Sequence, residues 1–293
     1  MSNCDENVVT EPDLETNNVI DTIDIEADNN NSLSKNQLKK QTRHELVLVN
    51  KKLKRKSEQE KAREKFRLQR EQGAPSKEEL KKIQLSRLQE ASETGLNVCV
   101  DFQFEDLMTD KELTHLANQA KRVYSSNKAS SNPFNLHFIN LSKNSKTYQR
   151  CCDKNDGFEN YFLTIVEPDD VRDHFFTDQR IVYLSPDSEN VLQDLDQDTV
   201  YIIGGLVDDS VKKNSSQQYC QRAEISTARL PIPEYMSRAE SGGSYKQILT
   251  INQVFDILLT YHQHRDWRLA LAEHVPQRTG FVIKQEDDKT SDQ

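Results

Sequence analysis

Thr199-Val-Tyr-Ile-Ile-Gly-Gly-Leu-Val-Asp-Asp209 is the stretch on which the reading of the fold turns. Val200 to Ile203 is apolar at every position, as a strand covered on both faces of a parallel sheet must be. The run stops at paired glycines, Gly204 and Gly205, and two acids follow, Asp208 and Asp209. Glycines at a strand end let the backbone approach a ligand closely, and the same pair also suits a plain tight turn. Asp208 and Asp209 fit a helix N-cap or Asx turn as well as a carboxylate beside a ligand pocket.

The flanking sequence supplies the rest of the sheet. Val98-Cys-Val-Asp-Phe102 is a second near-continuous apolar run, and Leu136 to Asn140, Tyr161 to Val166 and Ile181 to Leu184 are further strand candidates. Between and after them lie helical patterns. Thr109-Asp-Lys-Glu112 is a capping box, followed by Leu113, Leu116, Ala117, Ala120, Val123 and Tyr124 at the spacing of a helix facing a sheet. Ile251, Val254, Phe255, Leu258 and Leu259 mark a second helix; Trp267, Ala270, Leu271 and Val275 mark a third, stopped by Pro276. Strands alternating with helices predict an α/β domain with a mostly parallel sheet. Ligands bind such sheets at the carboxyl ends of the strands. That singles out the Gly204–Asp209 loop and Ser185-Pro-Asp-Ser188. No G-x-G-x-x-G and no P-loop lysine follows, against dinucleotide and nucleoside-triphosphate readings. Ser185, Ser188 and Ser210 lack a G-x-S-x-G context, against a hydrolase triad.

Only 34% of the 293 residues are apolar against 30% charged, so part of the chain is expected to stay outside any core. The net charge of −9 argues against a nucleic-acid partner until it is divided along the chain. Residues 1–34 carry nine acids and no Lys or Arg; residues 35–90 carry eighteen Lys and Arg and eight acids, for +10; residues 91–293 net −10. The expected organisation is a disordered acidic leader (1–34), a basic helical arm (35–90), the α/β domain (91–284) and a disordered tail (285–293). Ser76-Lys-Glu-Glu79, a second capping box, starts a helix within the arm. Lys51, Lys52, Lys54, Arg55 and Lys56, with Arg63 and Arg67 beyond, are denser than a solvated face needs and suit phosphate backbones, with a solvated face or a localisation signal as the alternative use.

Five irregularly spaced cysteines (Cys4, Cys99, Cys151, Cys152, Cys220) contain no C-x-x-C, and His262-x-His264 has no thiol nearby, so no metal site is expected. Reduced thiols fit a nuclear or cytoplasmic protein. No apolar run approaches the ~18 residues of a membrane span, and the acidic start lacks a signal peptide's features.

Several of these segments, in this order, resemble the tRNA (guanine-9-N1)-methyltransferases, a branch of the SPOUT, or α/β-knot, methyltransferases. They are Val100-Asp-Phe-Gln-Phe-Glu-Asp-Leu-Met108, Gln119 to Asn127, Val182-Tyr-Leu-Ser-Pro-Asp-Ser188 and Tyr201-Ile-Ile-Gly-Gly-Leu-Val-Asp208, supported by Ala228-Arg-Leu-Pro-Ile232, Ile248-Leu-Thr-Ile-Asn-Gln-Val254, Asp266-Trp267 and Pro276-Gln-Arg278. The likeness spans roughly residues 97–282. It implies a C-terminal trefoil knot binding S-adenosylmethionine in a bent form, and methylation of N1 of guanine 9 in tRNA. By position, the resemblance places Leu184, Gly205, Asp209, Ser210, Val211, Lys212, Lys213, Cys220, Leu230, Gln247, Ile248 and Leu249 at the cofactor, with Thr250 bordering it. It assigns Asp208 as the catalytic carboxylate and Gln119 and Asp101 as polar positions near the target base, with Glu105 an alternative to Asp101. It further implies a monomer that binds tRNA. The segment Asp209 to Tyr219 and the loop Ser241-Gly-Gly-Ser244 are longer than is usual in that family. The competing reading is a non-catalytic tRNA-binding platform in a processing complex.

Overall fold

The computed structural model describes residues 35–71, 73–167, 179–207, 225–239 and 248–285. The leader expected over 1–34 and all but the first residue of the tail lie outside them. The chain divides into two units, Met1–Ala74 and Pro75–Gln293.

In the first unit, helix α1 spans Lys35–Glu71. It has fourteen Lys and Arg against five Glu, a net of +9. Its apolar residues form no single stripe: Leu46, Val47, Leu48 and Val49 are consecutive, point all round the helix, and are exposed together with Leu53. The second unit opens with α2 (Lys77–Thr94), whose capping box forms as the sequence predicts, with Glu79 N–H donating to Ser76 Oγ (3.2 Å) and Ser76 N–H to Glu79 Oε2 (2.7 Å). Leu88 and Ala91 are buried against the sheet unit. The helical arm drawn over 35–90 is therefore divided, because those two side chains tie α2 to the second unit.

That unit is built on six strands: β1 (Asn97–Asp101), β2 (Asn135–Ile139), β3 (Thr164–Ile165), β4 (Arg180–Leu184), β5 (Thr199–Gly204) and β6 (Ser226–Ala228). Their spatial order is β3-β2-β1-β5-β4-β6, and every neighbouring pair is parallel. The α/β class and the parallel sheet match the sequence reading. β3 is shorter than the run Tyr161 to Val166 suggests, because Leu163 N–H donates to the Tyr161 carbonyl (3.1 Å) and a tight turn uses the first half.

Alternation along the strands builds a core on each face. Val98, Val100, Phe102, Tyr201 and Ile203 face the larger one, packed by α3 (Asp110–Ala129) through Leu116, Ala117, Ala120 and Val123. On the same side, after a one-turn helix α5 (Ile232–Tyr235), lie α6 (Ile251–His264) and α7 (Trp267–His274). Cys99, Tyr183, Val200 and Ile202 face the smaller core. Three elements have no strong sequence signal. Helix α4 (Lys146–Lys154) buries only Thr147 and Cys151, and the antiparallel pair β7 (Met236–Arg238) and β8 (Phe281–Ile283) has three residues a strand. No described helix is long and apolar enough to cross a membrane.

Candidate active site

The chain builds outward from β1 to β2 and β3, then returns to the other side, where β5 lies against β1. That change of direction makes the carboxyl ends of β1 and β5 the topological switch point, where open α/β sheets bind ligands.

Asp101 closes β1 and is fully buried. Its Oδ1 accepts from Asn140 Nδ2 (2.7 Å) and from Gln103 N–H (3.1 Å). Its Oδ2 accepts from the Tyr183 hydroxyl (2.9 Å) and from Gln103 Nε2. Burial pushes the carboxyl above its ordinary range, and these four bonds pull it partly back. Asn140, just past β2, holds a left-handed φ of 55°, which Asn tolerates better than most residues and which accompanies its bond to Asp101. The carboxylate thus clasps the ends of β1, β2 and β4.

Both glycines belong to this clasp. Gly204 is registered against Asp101, on the face that also carries Ile202 and Tyr183. Having no side chain there, it leaves a path over β5 for the Tyr183 hydroxyl. At Gly205, N–H donates to the Asp101 carbonyl at 2.7 Å, and a Cβ would sit 2.4 Å from that same oxygen. Only glycine allows so close an approach. Two residues on, the Val207 N–H contacts Met108 Sδ at 3.5 Å. The exit of β5 is therefore fixed at Gly205 and Val207, immediately before Asp208 in the chain.

The other acid near β1 has a different task. Glu105 accepts from Thr147 Oγ1 (2.7 Å), Thr147 N–H (2.8 Å) and Lys146 N–H (3.2 Å), capping α4. Burial tends to raise this carboxyl, but the bonds from Thr147 and Lys146 prevail and hold it below its ordinary range.

Gln119 lies on α3, buried, with Oε1 accepting from Ile251 N–H at 3.0 Å. Thr250 N–H donates to Gln253 Oε1 (3.0 Å), so the first turn of α6 is held from both sides. Just before it, Leu249 packs on the larger core while Ile248 is 63% exposed. Across the sheet end, Leu184 and Leu230 are buried, and Ser185 N–H donates to the Ala228 carbonyl (2.9 Å). Apolar side chains and strand-end backbone thus ring the carboxyl ends of β4, β5 and β6. Asp208, Asp209, Ser210, Val211, Lys212, Lys213, Cys220 and Gln247 lie outside the described residues. Sequence reading missed Tyr183, Asn140 and Gln103, the partners of Asp101; the only available signal was two polar residues beside apolar strand ends.

On α1, Lys51, Lys52, Lys54, Arg55, Lys56, Arg63 and Arg67 are all exposed. Lys54 approaches Glu58 (4.0 Å) and Arg67 approaches Glu71 (3.7 Å). Arg63, Phe66, Arg67 and Arg70 share one face at i, i+3, i+4 and i+7.

A cleft of about 1080 Å³ lies between β4, β6 and residues 190–197. Its charged groups are spent on each other, Arg180 with Asp196 and Arg265 with Asp194, each at 2.6 Å. Among the described residues, no group of three or more His, Cys, Asp or Glu could hold a metal ion. Burial, and then the neighbouring Cys152, push the Cys151 thiol up to about 12.

The sequence model of the family described as tRNA (guanine(9)-N(1))-methyltransferase TRM10/TRM10A matches residues 31–280. The chain belongs to this family. The mouse protein named tRNA methyltransferase 10 homolog B is 42% identical over 255 residues, covering 86% of this chain and 80% of its own length. The Schizosaccharomyces pombe tRNA (guanine(9)-N1)-methyltransferase is 32% identical over 287 residues, 91% of each chain. Among solved structures, full-length spTrm10 in complex with SAH is 33% identical, with a TM-score of 0.54 over 62% of this chain and 95% of that one. The TRM10/TRM10A assignment makes the chain a tRNA (guanine-N1) methyltransferase.

Proposed function

We propose that this chain transfers a methyl group from S-adenosylmethionine to N1 of guanine 9 in tRNA, with Asp208 as the carboxylate at the reacting nitrogen. The observation that carries the reading is the fixed exit of β5. Gly205 N–H on the Asp101 carbonyl and Val207 N–H on Met108 Sδ hold the backbone that delivers Asp208. The residues at the strand ends fit the cofactor: Leu184, Leu230, Leu249 and the exposed Ile248 offer apolar surface, and the Gly205 carbonyl, whose own N–H is spent on Asp101, and the Leu249 backbone offer polar groups. S-adenosylmethionine supplies an electrophilic methyl on a sulfonium, and spTrm10, a structural relative, was solved with SAH.

Guanine N1 carries a proton at neutral pH, which must leave as the C–N bond forms. Asp208 accepts that proton or its hydrogen bond. An ordinary Asp, at ~3.9, is a weak base for the task, so position contributes more than basicity. Gln119 acts indirectly, by holding the start of α6 and with it residues 248–250. Asp101 likewise acts through others, since its oxygens are occupied and it does not reach solvent. The loops of the C-terminal half form the trefoil knot of the family. N1 lies on the Watson–Crick edge, so the nucleotide leaves the tRNA fold to react, and α1 grips the surrounding phosphates. The enzyme acts as a monomer in the nucleus or cytoplasm.

The test is methyl transfer from labelled S-adenosylmethionine to unmodified tRNA, for wild type and Asp208→Asn. Wild-type transfer with loss of at least tenfold in the variant is expected. Full-rate transfer by Asp208→Asn would remove the carboxylate role and leave the enzyme reading standing.

A further inference from the structure

The notable feature of α1 outside the reaction itself is a patch in which an aliphatic run leads into a basic cluster: Leu46-Val-Leu-Val-Asn-Lys-Lys-Leu-Lys-Arg-Lys56. Leu46, Val49 and Leu53 fall at i, i+3 and i+7 on one face, each more than half exposed. Beside them, Lys51, Lys52, Arg55 and Lys56 have no ion-pair partner among the described residues. Naked phosphate accounts for the charge but gives the aliphatic stripe nothing to touch. The chain contains a segment of the complementary kind, Val19-Ile-Asp-Thr-Ile-Asp-Ile-Glu26, where aliphatic and acidic residues alternate.

We propose that residues 19–26 dock on the Leu46–Lys56 patch of α1 and compete there with tRNA, so that the acidic leader restrains the enzyme's affinity for RNA. This rests on the reading of α1 as an RNA grip. The charges match: nine acids and no Lys or Arg in residues 1–34, against +9 on α1. The reach closes. Residues 27–34 span up to ~27 Å at ~3.4 Å each, whereas the helical rise from Lys35 to Leu46 is only ~17 Å. Tethering does the rest. A contact of only millimolar strength between separate molecules is about half-occupied when a short linker holds the local concentration near millimolar. RNA, which gains affinity by releasing many counterions, displaces such a contact, while weakly bound polyanions do not. The leader thereby raises the threshold for binding rather than abolishing it.

The test uses the full chain. Zero-length carbodiimide coupling, read by mass spectrometry, is applied with and without tRNA. In parallel, tRNA affinity is titrated against salt for wild type, for Asp21→Asn with Asp24→Asn and Glu26→Gln, and for Lys51→Gln with Lys52→Gln, Lys54→Gln, Arg55→Gln and Lys56→Gln. The expected result is coupling of Asp21, Asp24 or Glu26 to Lys51, Lys52, Lys54 or Lys56 within one chain, suppressed by tRNA. The leader variant should bind tRNA about twofold more tightly at 50 mM salt, as removal of a half-occupied competitor requires, the gain vanishing as screening shortens the range of the charges. Coupling only to residues beyond 75, only between chains, or not at all would overturn the proposal. So would a leader variant that binds tRNA as wild type does. A helix variant that still binds tRNA with unchanged affinity and salt dependence would instead remove α1 as the RNA grip, and the competition with it, whatever the coupling shows.

Discussion

Replacing Gly205 by Ala adds one methyl group at the most crowded point of the candidate site. The new Cβ would stand 2.4 Å from the Asp101 carbonyl oxygen, 3.1 Å from its carbon and 3.5 Å from Phe102 Cα, all backbone atoms of β1 and its exit. Relief to 3.0 Å requires at least 0.6 Å of movement. β1 cannot yield, because it is paired on both sides, with β2 and β5. The strain falls on the exit of β5 and breaks the 2.7 Å bond from Gly205 N–H to Asp101. Overpacking costs about 1–3 kcal/mol and the lost bond about 0.5–1.5, for a destabilisation of roughly 2–4 kcal/mol. A displacement approaching 1 Å in the segment delivering Asp208 lowers turnover by roughly ten- to a hundredfold. Urea unfolding measures the first quantity. Single-turnover methyl transfer at saturating tRNA and S-adenosylmethionine measures the second, at a temperature where the variant is fully folded. A Gly205→Ala protein with wild-type stability and turnover would refute the close-approach argument.

Further outcomes follow from the same geometry. Asp101→Ala strands the Tyr183 hydroxyl, the Asn140 amide and Gln103 donors in a buried site and should cost about 3–5 kcal/mol in chemical denaturation. Asp101→Asn keeps one acceptor oxygen, should cost less, and should change the pH dependence of stability. A carboxyl raised in the folded state binds more protons folded than unfolded, so wild-type stability falls as pH rises from the ordinary Asp value through the raised folded one, and the variant should lack that component. Glu105→Gln should act in the opposite sense. Its lowered carboxyl contributes stability above the ordinary Glu value that is lost as pH falls through the folded one, so thermal melts of wild type and variant should converge in acid. Gln119→Leu leaves Ile251 N–H without its partner and should cost about 1–3 kcal/mol, while Gln119→Glu, which retains an acceptor, should recover part of the loss. Neutralising Lys51, Lys52, Lys54, Arg55 and Lys56 should flatten the slope of log affinity for tRNA against log salt by up to about 4; an unchanged slope would exclude phosphate contact by this cluster.

The sequence reveals some parts of this molecule and hides others for physical reasons. β5 is legible because both of its faces are covered, so Val200 to Ile203 need no alternation to be interpreted. Helices α3 and α6 are legible from stripes that reach a core and, for α3, from its capping box. Gly204 and Gly205 attract notice in sequence, but their reason does not show there. It resides in a carbonyl and a carboxylate of β1 about a hundred residues earlier. Asp101 reads as a polar group near the target base because its partners, Asn140 and Tyr183, are distant in the chain; only folding reveals that its oxygens are filled. Glu105 is obscured in the same way by Thr147. The docking of α2 does not show in the sequence, because its four Lys and Arg are matched by four Glu and the two residues that are buried, Leu88 and Ala91, are too few to form a clear stripe.

The central claim is that this chain methylates N1 of guanine 9, and the most direct measurement is to locate the methyl group. Unmodified tRNA with guanine at position 9 is incubated with the full chain and S-adenosylmethionine, then examined by reverse transcription and nucleoside mass spectrometry. The account predicts a new stop at position 9 and one equivalent of N1-methylguanosine, both absent when position 9 is a pyrimidine. Tight tRNA binding with no methyl transfer, or a methyl group at another position, would contradict it, the former in favour of a non-catalytic platform.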